Sequence, residues 1–234
     1  MTYTLVEYDE VTSTLDVAHD LAMKGAESGT IIVATAQTAG RGRMGRSWRS
    51  EPGAGIWLTL IERPTDPSAL DVLSLRIGLA LAPALDPFAG ARVQLKWPND
   101  IYVMGRKLAG ILIEARWREG HPEWVAIGVG INLRPPASEP RAIGLRAGVA
   151  REEVLAAIGP ALRAAAEHRG PLTAAEVDAF AARDFARGRR CVEPVEGTVQ
   201  GIDVSGALLV GVGTGESGAV TAVRAGSLVL EEAS

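Results

Sequence analysis

Residues 123–133, Glu-Trp-Val-Ala-Ile-Gly-Val-Gly-Ile-Asn-Leu, alternate without a break, and such alternation commits the stretch to a β-strand inside a sheet. Val125, Ile127, Val129, Ile131 and Leu133 share one face, which must lie on a packed core. Trp124, Ala126, Gly128, Gly130 and Asn132 share the other. A sheet face of two glycines and an asparagine leaves room for a flat ligand and offers it a polar end. The same face would also serve a close helix–sheet contact.

The segments around this strand supply its neighbours. Residues 30–36 read as a strand delivering Gln37, with 56–61 as its hairpin partner. Residues 93–98, 101–103 and 107–115, turning at Gly105, form a meander whose short connections make it mostly antiparallel. Ser13, with Asp16 three residues on, caps a helix over 15–24 that Gly25 or Gly29 ends. The hydroxyls of Ser13 and Thr14 either only cap or also bind a polar ligand at the helix start. His19, in this helix, is expected at the surface. An amphipathic helix over 68–85 ends near Pro87, with Gly78 and Pro83 weakening its later part. After Pro135-Pro136 come helices over 151–169, with Pro160 inside, and 173–185. From Gly188 onward, five short strands alternate with glycine turns and suggest a small β-barrel. The expected fold is α+β: a mixed, largely antiparallel sheet flanked by helices over 1–186, then a small barrel over 187–234.

Gly40-Arg41-Gly42-Arg43-Met44-Gly45-Arg46-Ser47-Trp48 places three arginines among three glycines in a chain of 234 residues whose formal net charge is −4. Glycines let a backbone come close to a ligand, and guanidinium groups form two-pronged hydrogen bonds to phosphate or carboxylate. Gly40-x-Gly42-x-x-Gly45 also fits a dinucleotide fingerprint, but that requires a helix opening at the third glycine. Pro52, Gly53 and Gly55 forbid one. An arginine/glycine segment gripping nucleic acid is a further alternative, which the acidic balance disfavours because it gives no global basic field. No apolar run approaches membrane-spanning length, and the start lacks a signal peptide's pattern. The single Cys191 suits a reducing compartment. A cytoplasmic protein is expected, without membrane or DNA binding.

Thr12-Ser13-Thr14, Gln37-x-x-Gly40-Arg-Gly-Arg-Met-Gly-Arg-Ser-Trp48, Lys96-Trp-Pro-Asn-Asp100, Arg106-Lys107-Leu-Ala-Gly110 and Gly128-Val-Gly-Ile-Asn132 together resemble biotin protein ligase. The resemblance is strong over about 5–134 and by pattern beyond. It implies a sheet related to the class II synthetase fold followed by an SH3-like domain, in a monofunctional form that lacks the family's occasional DNA-binding domain. The activity implied is ATP-dependent conversion of biotin to biotinyl-5′-AMP, then transfer to a lysine of a biotin carboxyl carrier protein. Two anions must meet in the first step. Two unit charges about 4 Å apart interact by roughly 4 kcal/mol at an effective dielectric near 20, so clustered cations lower such a barrier.

By resemblance, Ser13, Thr14 and Leu15 would lie along biotin, with Gln37 helping to bind its ureido ring. Arg41, Gly42 and Arg43 would close over the acid, Arg43 and Arg46 would face the phosphates, and Trp48 would shield the adenine. Lys107 would sit at the carboxylate–phosphate junction, and Asn99 and Asp100 would place the triphosphate and its Mg²⁺. Gly110, Gly128 and Gly130 would give the ligand room, with Asn132 near the adenylate. An alternative reading has Trp97 and Pro98 shaping a turn only, and Lys96 as a solvated charge. Leu15 stands where the family commonly has Asn, and Met44 where a further basic residue is frequent. His121 and His168 match nothing and are expected at the surface. Lipoate–protein ligase would share the fold and the adenylation chemistry. A monomer or a homodimer, paired through a sheet edge, both fit the sequence.

Overall fold

The computed structural model describes residues 3–64, 66–213 and 219–231. Its larger sheet has seven strands in the order β1 (Thr4–Val11), β2 (Thr30–Gln37), β3 (Gly55–Glu62), β7 (His121–Asn132), β6 (Arg106–Arg118), β5 (Asp100–Val103) and β4 (Gln94–Lys96). Only β1 and β2 run parallel, because the helix α1 (Thr14–Met23) crosses between them; every other neighbouring pair is antiparallel. The mixed, largely antiparallel sheet is therefore as expected. β1 is an addition: at the sheet edge, its residues show no clean alternation to announce it.

β7 is central, with Gly130 opposite Trp57 of β3 on one side and Gly110 of β6 on the other. Its two faces separate as the alternation requires. Val125, Ile127, Val129 and Ile131 pack into the main core with α2 (Leu73–Leu85) and α3 (Arg151–Ala166). Trp124 and Ala126 pack with Leu15, Ala18 and Ala22 of α1. One side of the sheet thus carries the core helices and the other carries α1 and a cavity.

The helix expected over 68–85 is divided. Pro67–Val72 is a 3₁₀ segment, capped by Asp66 accepting from Ser68 N, and the α-helix begins at Leu73. Taken together, Pro67–Leu85 spans 19 residues and is long and apolar enough to cross a membrane, which corrects the reading that no run approaches that length. Here it is a core helix. Buried Arg76 in its middle bonds Glu176 Oε1 at 2.6 Å and the carbonyls of Gly170 and Pro171. Glu176 also closes a capping box with Thr173 at the start of α4 (Ala174–Ala181).

The second sheet holds β8 (Arg190–Glu193), β9 (Gly197–Ile202), β10 (Leu208–Val212), β11 (Ala219–Val223) and β12 (Val229–Leu230), in the order β11-β10-β9-β8-β12, all antiparallel. Two features join it to the first. Leu95 of β4 donates to Arg183 O and accepts from Phe185 N, each at 2.8 Å, so the chain leading to β8 lies along the outer rim of β4. Trp97 Nε1 donates to Gly206 O at 3.0 Å, so this buried ring does more than shape a turn.

Candidate active site

The start of α1 forms the polar end of a cavity of about 780 Å³. Ser13 caps the helix by accepting from Leu15 N, and both it and Thr14 are buried. Thr14 N donates to Gln37 Oε1 at 2.8 Å; since a backbone N–H can only donate, the Gln37 carbonyl faces it and the Gln37 amide nitrogen donates to Ser50 Oγ at 2.7 Å. Thr59 Oγ1 donates to Thr14 Oγ1 at 2.9 Å. Gln37 therefore braces Thr14 and Ser50 together.

The glycine-arginine segment is a tight excursion closed at its base by Trp48 N donating to Gly40 O at 2.8 Å. Gly40 has no alternative there, because a Cβ would lie 2.5 Å from Trp48 O and 2.8 Å from Ser50 Oγ. At the tip Met44 adopts a left-handed conformation with φ +56°, unusual for a side chain of its size. The three arginines diverge. Arg43 donates to Asn99 Oδ1 at 3.0 Å and Gly226 O at 3.1 Å, and Arg46 to Ser227 Oγ at 3.1 Å. Arg41 turns the other way, to Asp16 and Glu114 at 2.9 and 3.0 Å, so its charge is not presented over the cavity as expected.

The glycine face is occupied by the chain itself. A Cβ on Gly130 would fall 2.6 Å from Cε2 and Nε1 of Trp48, one on Gly110 would fall 3.0 Å from Trp48 Cζ3, and one on Gly128 would fall 3.2 Å from the methyls of Leu15. The flat group against the two glycines is thus the indole of Trp48, which meets Trp57 edge-on at 6.4 Å. This revises the expectation that Gly110, Gly128 and Gly130 leave their space to the ligand. The indole instead becomes a wall of the cavity, and its Nε1 has no hydrogen-bond partner among the described residues. Asn132 is buried and donates to Ile143 O at 3.3 Å, which fixes the segment after β7.

Opposite the polar end, cations converge. Lys107 Nζ pairs with Asp100 Oδ1 at 2.6 Å and stands 5.2 Å from the Trp48 ring centre. Lys96 lies 5.5 Å from the ring of Tyr102, which stacks on Phe185, and Arg189 lies on Phe185 at 4.6 Å. Burial holds the Lys96 ammonium below its usual range, opposed by Asp100 and reinforced by Lys107, Arg189 and Arg141. This overturns the solvated reading of Lys96. Burial also lowers Arg43, with Asp100 opposing and Arg46 adding to it. The Tyr102 hydroxyl is pushed up to about 12 by burial and then by Asp100. Among the described residues, eight cationic side chains besides the turned-away Arg41 line the cavity with three carboxylates, so a chain that is negative overall keeps a positive interior there.

All sixteen side chains or glycines singled out from the sequence line this one cavity: Ser13, Thr14, Leu15, Gln37, Arg41, Gly42, Arg43, Arg46, Trp48, Asn99, Asp100, Lys107, Gly110, Gly128, Gly130 and Asn132. Sequence reasoning missed Ser50, Thr59, Tyr102, Arg141, Arg189 and Ser227. Only Thr59 carried a local signal, as a hydroxyl inside the apolar run of β3. His121 and His168 are exposed as expected. His19 is half-buried instead, bonded to Glu114 and Trp124.

Residues 6–132 match the family described as "Biotin/lipoate A/B protein ligase family". The bifunctional ligase/repressor BirA of Bacillus spizizenii is 42% identical over 136 residues, 58% of this chain and 42% of that protein. The chain thus spans about two fifths of the length of that relative. The biotin--[acetyl-CoA-carboxylase] ligase of Paracoccus denitrificans is 34% identical over 209 residues, 80% of this chain and 85% of that one. In three dimensions, the biotin protein ligase from Aquifex aeolicus, solved with biotin and ATP, superposes with a TM-score of 0.81 at 24% identity, covering 99% of this chain and 100% of that one. At that identity the likeness is one of fold.

Proposed function

This chain belongs to the biotin/lipoate A/B protein ligase family, and we propose that it activates biotin with ATP and transfers it to a lysine of a biotin carboxyl carrier protein. The observation that carries the proposal is the pairing, within one cavity, of a neutral hydrogen-bonding end at Ser13 and Thr14 with a cation-rich end at Arg43, Lys96 and Lys107. A molecule with a polar uncharged head and a carboxylate tail fits that polarity. Its tail would lie where a triphosphate is also held.

In the first step a biotin carboxylate oxygen attacks the α-phosphorus of ATP. The bond to the β-phosphate breaks, and its electron pair leaves on pyrophosphate. Lys107 and Arg43 stabilise the charge gathered at that junction, and Lys96, Arg141 and Arg189 face the departing phosphates. In the second step the carrier lysine's amine attacks the acyl carbon and loses its proton, and AMP departs as the acyl–oxygen bond breaks. No nucleophile of the enzyme is needed. Trp48 offers its indole face to the adenine.

No three His, Cys, Asp or Glu side chains cluster to hold a metal among the described residues; a Mg²⁺ brought by the triphosphate would be held beside Asp100 and Asn99, whose Oδ1 atoms here meet Lys107 and Arg43. That ion would neutralise phosphate charge. Residues 1–186 are proposed as the catalytic domain, and 187–234 as an SH3-like barrel built from the second sheet. The complexes of relatives support the substrates: the Leishmania major biotin protein ligase, 25% identical with a TM-score of 0.65, was solved with biotinyl-5-AMP.

Pyrophosphate release on mixing the protein with ATP, Mg²⁺ and either biotin or lipoate tests the proposal. Release with biotin alone is expected. Release with lipoate alone would assign the other branch of the family, and none with either would leave a binding module.

A further inference from the structure

Arg41 is the one arginine of its loop that turns away from the reacting end, and a connected set of side chains holds it there. Its Nη2 lies 2.9 Å from Asp16 Oδ1, in the first turn of α1, and 3.0 Å from Glu114 Oε2, on β6. Glu114 Oε2 is also 2.9 Å from His19 Nε2, while Trp124 Nε1 is 2.9 Å from His19 Nδ1. An indole N–H can only donate, so Nδ1 accepts and Nε2 carries the hydrogen that points at Glu114. The ring of Trp124 carries Arg63 at 5.9 Å, and Arg63 donates to the carbonyls of Ala22, in the last turn of α1, and Ala26, just past its end.

We propose that Asp16 and Glu114, with His19 behind Glu114, are positioning residues that fasten the root of the arginine loop to α1 and β6, and so set how long the loop stays closed over a bound acyl-adenylate. The proposal rests on reading the cavity as an adenylating site. An exposed ion pair alone does little, since two long side chains lose freedom to form it. Here Trp124 orients His19 and His19 orients Glu114, so much of that freedom is gone before Arg41 arrives. The bond from His19, then the charge of Arg41, hold the Glu114 carboxyl below its usual range against partial burial. With its root fastened on this side and Arg43 and Arg46 bonded to Asn99, Gly226 and Ser227 on the other, the loop spans the cavity between two anchorages.

The test uses the whole protein and two readouts. Arginines 41, 43 and 46 are trypsin sites, so the rate of nicking in the loop without ligand reports the fastening directly. The rate at which preformed biotinyl-5′-adenylate dissociates reports its consequence. Asp16→Asn and Glu114→Gln are each expected to raise both rates roughly fivefold, with unchanged circular dichroism and melting temperature. His19→Phe should move both the same way. His19→Gln, which can still accept from Trp124 and donate to Glu114, should stay near wild type. Wild-type rates in the folded double variant Asp16→Asn/Glu114→Gln overturn the assignment. If the wild-type protein makes no biotinyl-adenylate, the functional reading fails instead, and the nicking rates still decide whether these residues fasten the loop.

Discussion

Lys107 and Asp100 form an ion pair of 2.6 Å in the middle of the cation-rich end, with the Trp48 indole 5.2 Å from the same ammonium. Asp100 thus holds the Lys107 charge in place before any substrate arrives. On the proposed reading, an incoming phosphate would replace one anion by another at that position, so the lysine would not have to be reoriented from solvent.

Replacing Lys107 by Ala removes this charge from the junction proposed above. Adenylate formation is expected to fall about a hundredfold, in line with the loss of one preorganised donor at a developing charge. Circular dichroism should not change. Near-normal single-turnover adenylation in the variant would remove Lys107 from the reacting centre.

Gly130→Ala puts a methyl 2.6 Å from the Trp48 indole, a ring that cannot step aside without leaving Gly110 as well. The indole should be displaced, with a shift in tryptophan emission, a several-fold weaker apparent affinity for ATP and a stability loss of about 1–3 kcal/mol. Emission and ATP affinity identical to wild type would show that the indole is not seated as described.

The Glu176 carboxyl is held down to about 2, first by its bond to buried Arg76, against burial and with help from Thr173 N. The unfolded chain binds this proton more readily than the folded one. Its stabilising contribution is therefore complete above about pH 4.5 and lost as the pH falls towards 2; the shift corresponds to about 3 kcal/mol. Glu176→Gln should flatten acid denaturation in that window and leave Arg76 short of a counter-charge at neutral pH. An unchanged unfolding midpoint across pH 2–7 would count against it.

Glu62 behaves in the opposite sense. Burial first, with Arg163 at 2.6 Å opposing, raises its carboxyl to about 7. The folded state now binds the proton better than the unfolded one, so this contribution is present below about pH 4.5 and is lost as the pH rises through 7. Its size is on the order of 3 kcal/mol. Chemical denaturation between pH 5 and 8 should show that slope in the wild type and a weaker one in Glu62→Gln. Equal slopes would reject it.

Local sequence carried much of this architecture. The alternation of β7 fixed which residues face the core, and Pro52, Gly53 and Gly55 excluded a helix after the arginine loop. What escaped depends on contacts between distant residues. Nothing near Arg76 shows that an acid a hundred positions later will neutralise it, and nothing near Trp48 shows that Gly110 and Gly130 form its seat. Arg189 and Ser227 reach the cavity only because the second sheet docks beside β4. Lys96 looked solvated because its burial comes from Tyr102 and the residues around Phe185.

That docking uses the indole hydrogen of Trp97, donated to Gly206 O, next to the rim where Arg183 and Phe185, just ahead of the second sheet, bond the main chain of Leu95. Removing the second sheet would leave the indole hydrogen of this buried ring without its acceptor. The tail is therefore a structural tenant of the first sheet, and heating should melt the two in a single cooperative step.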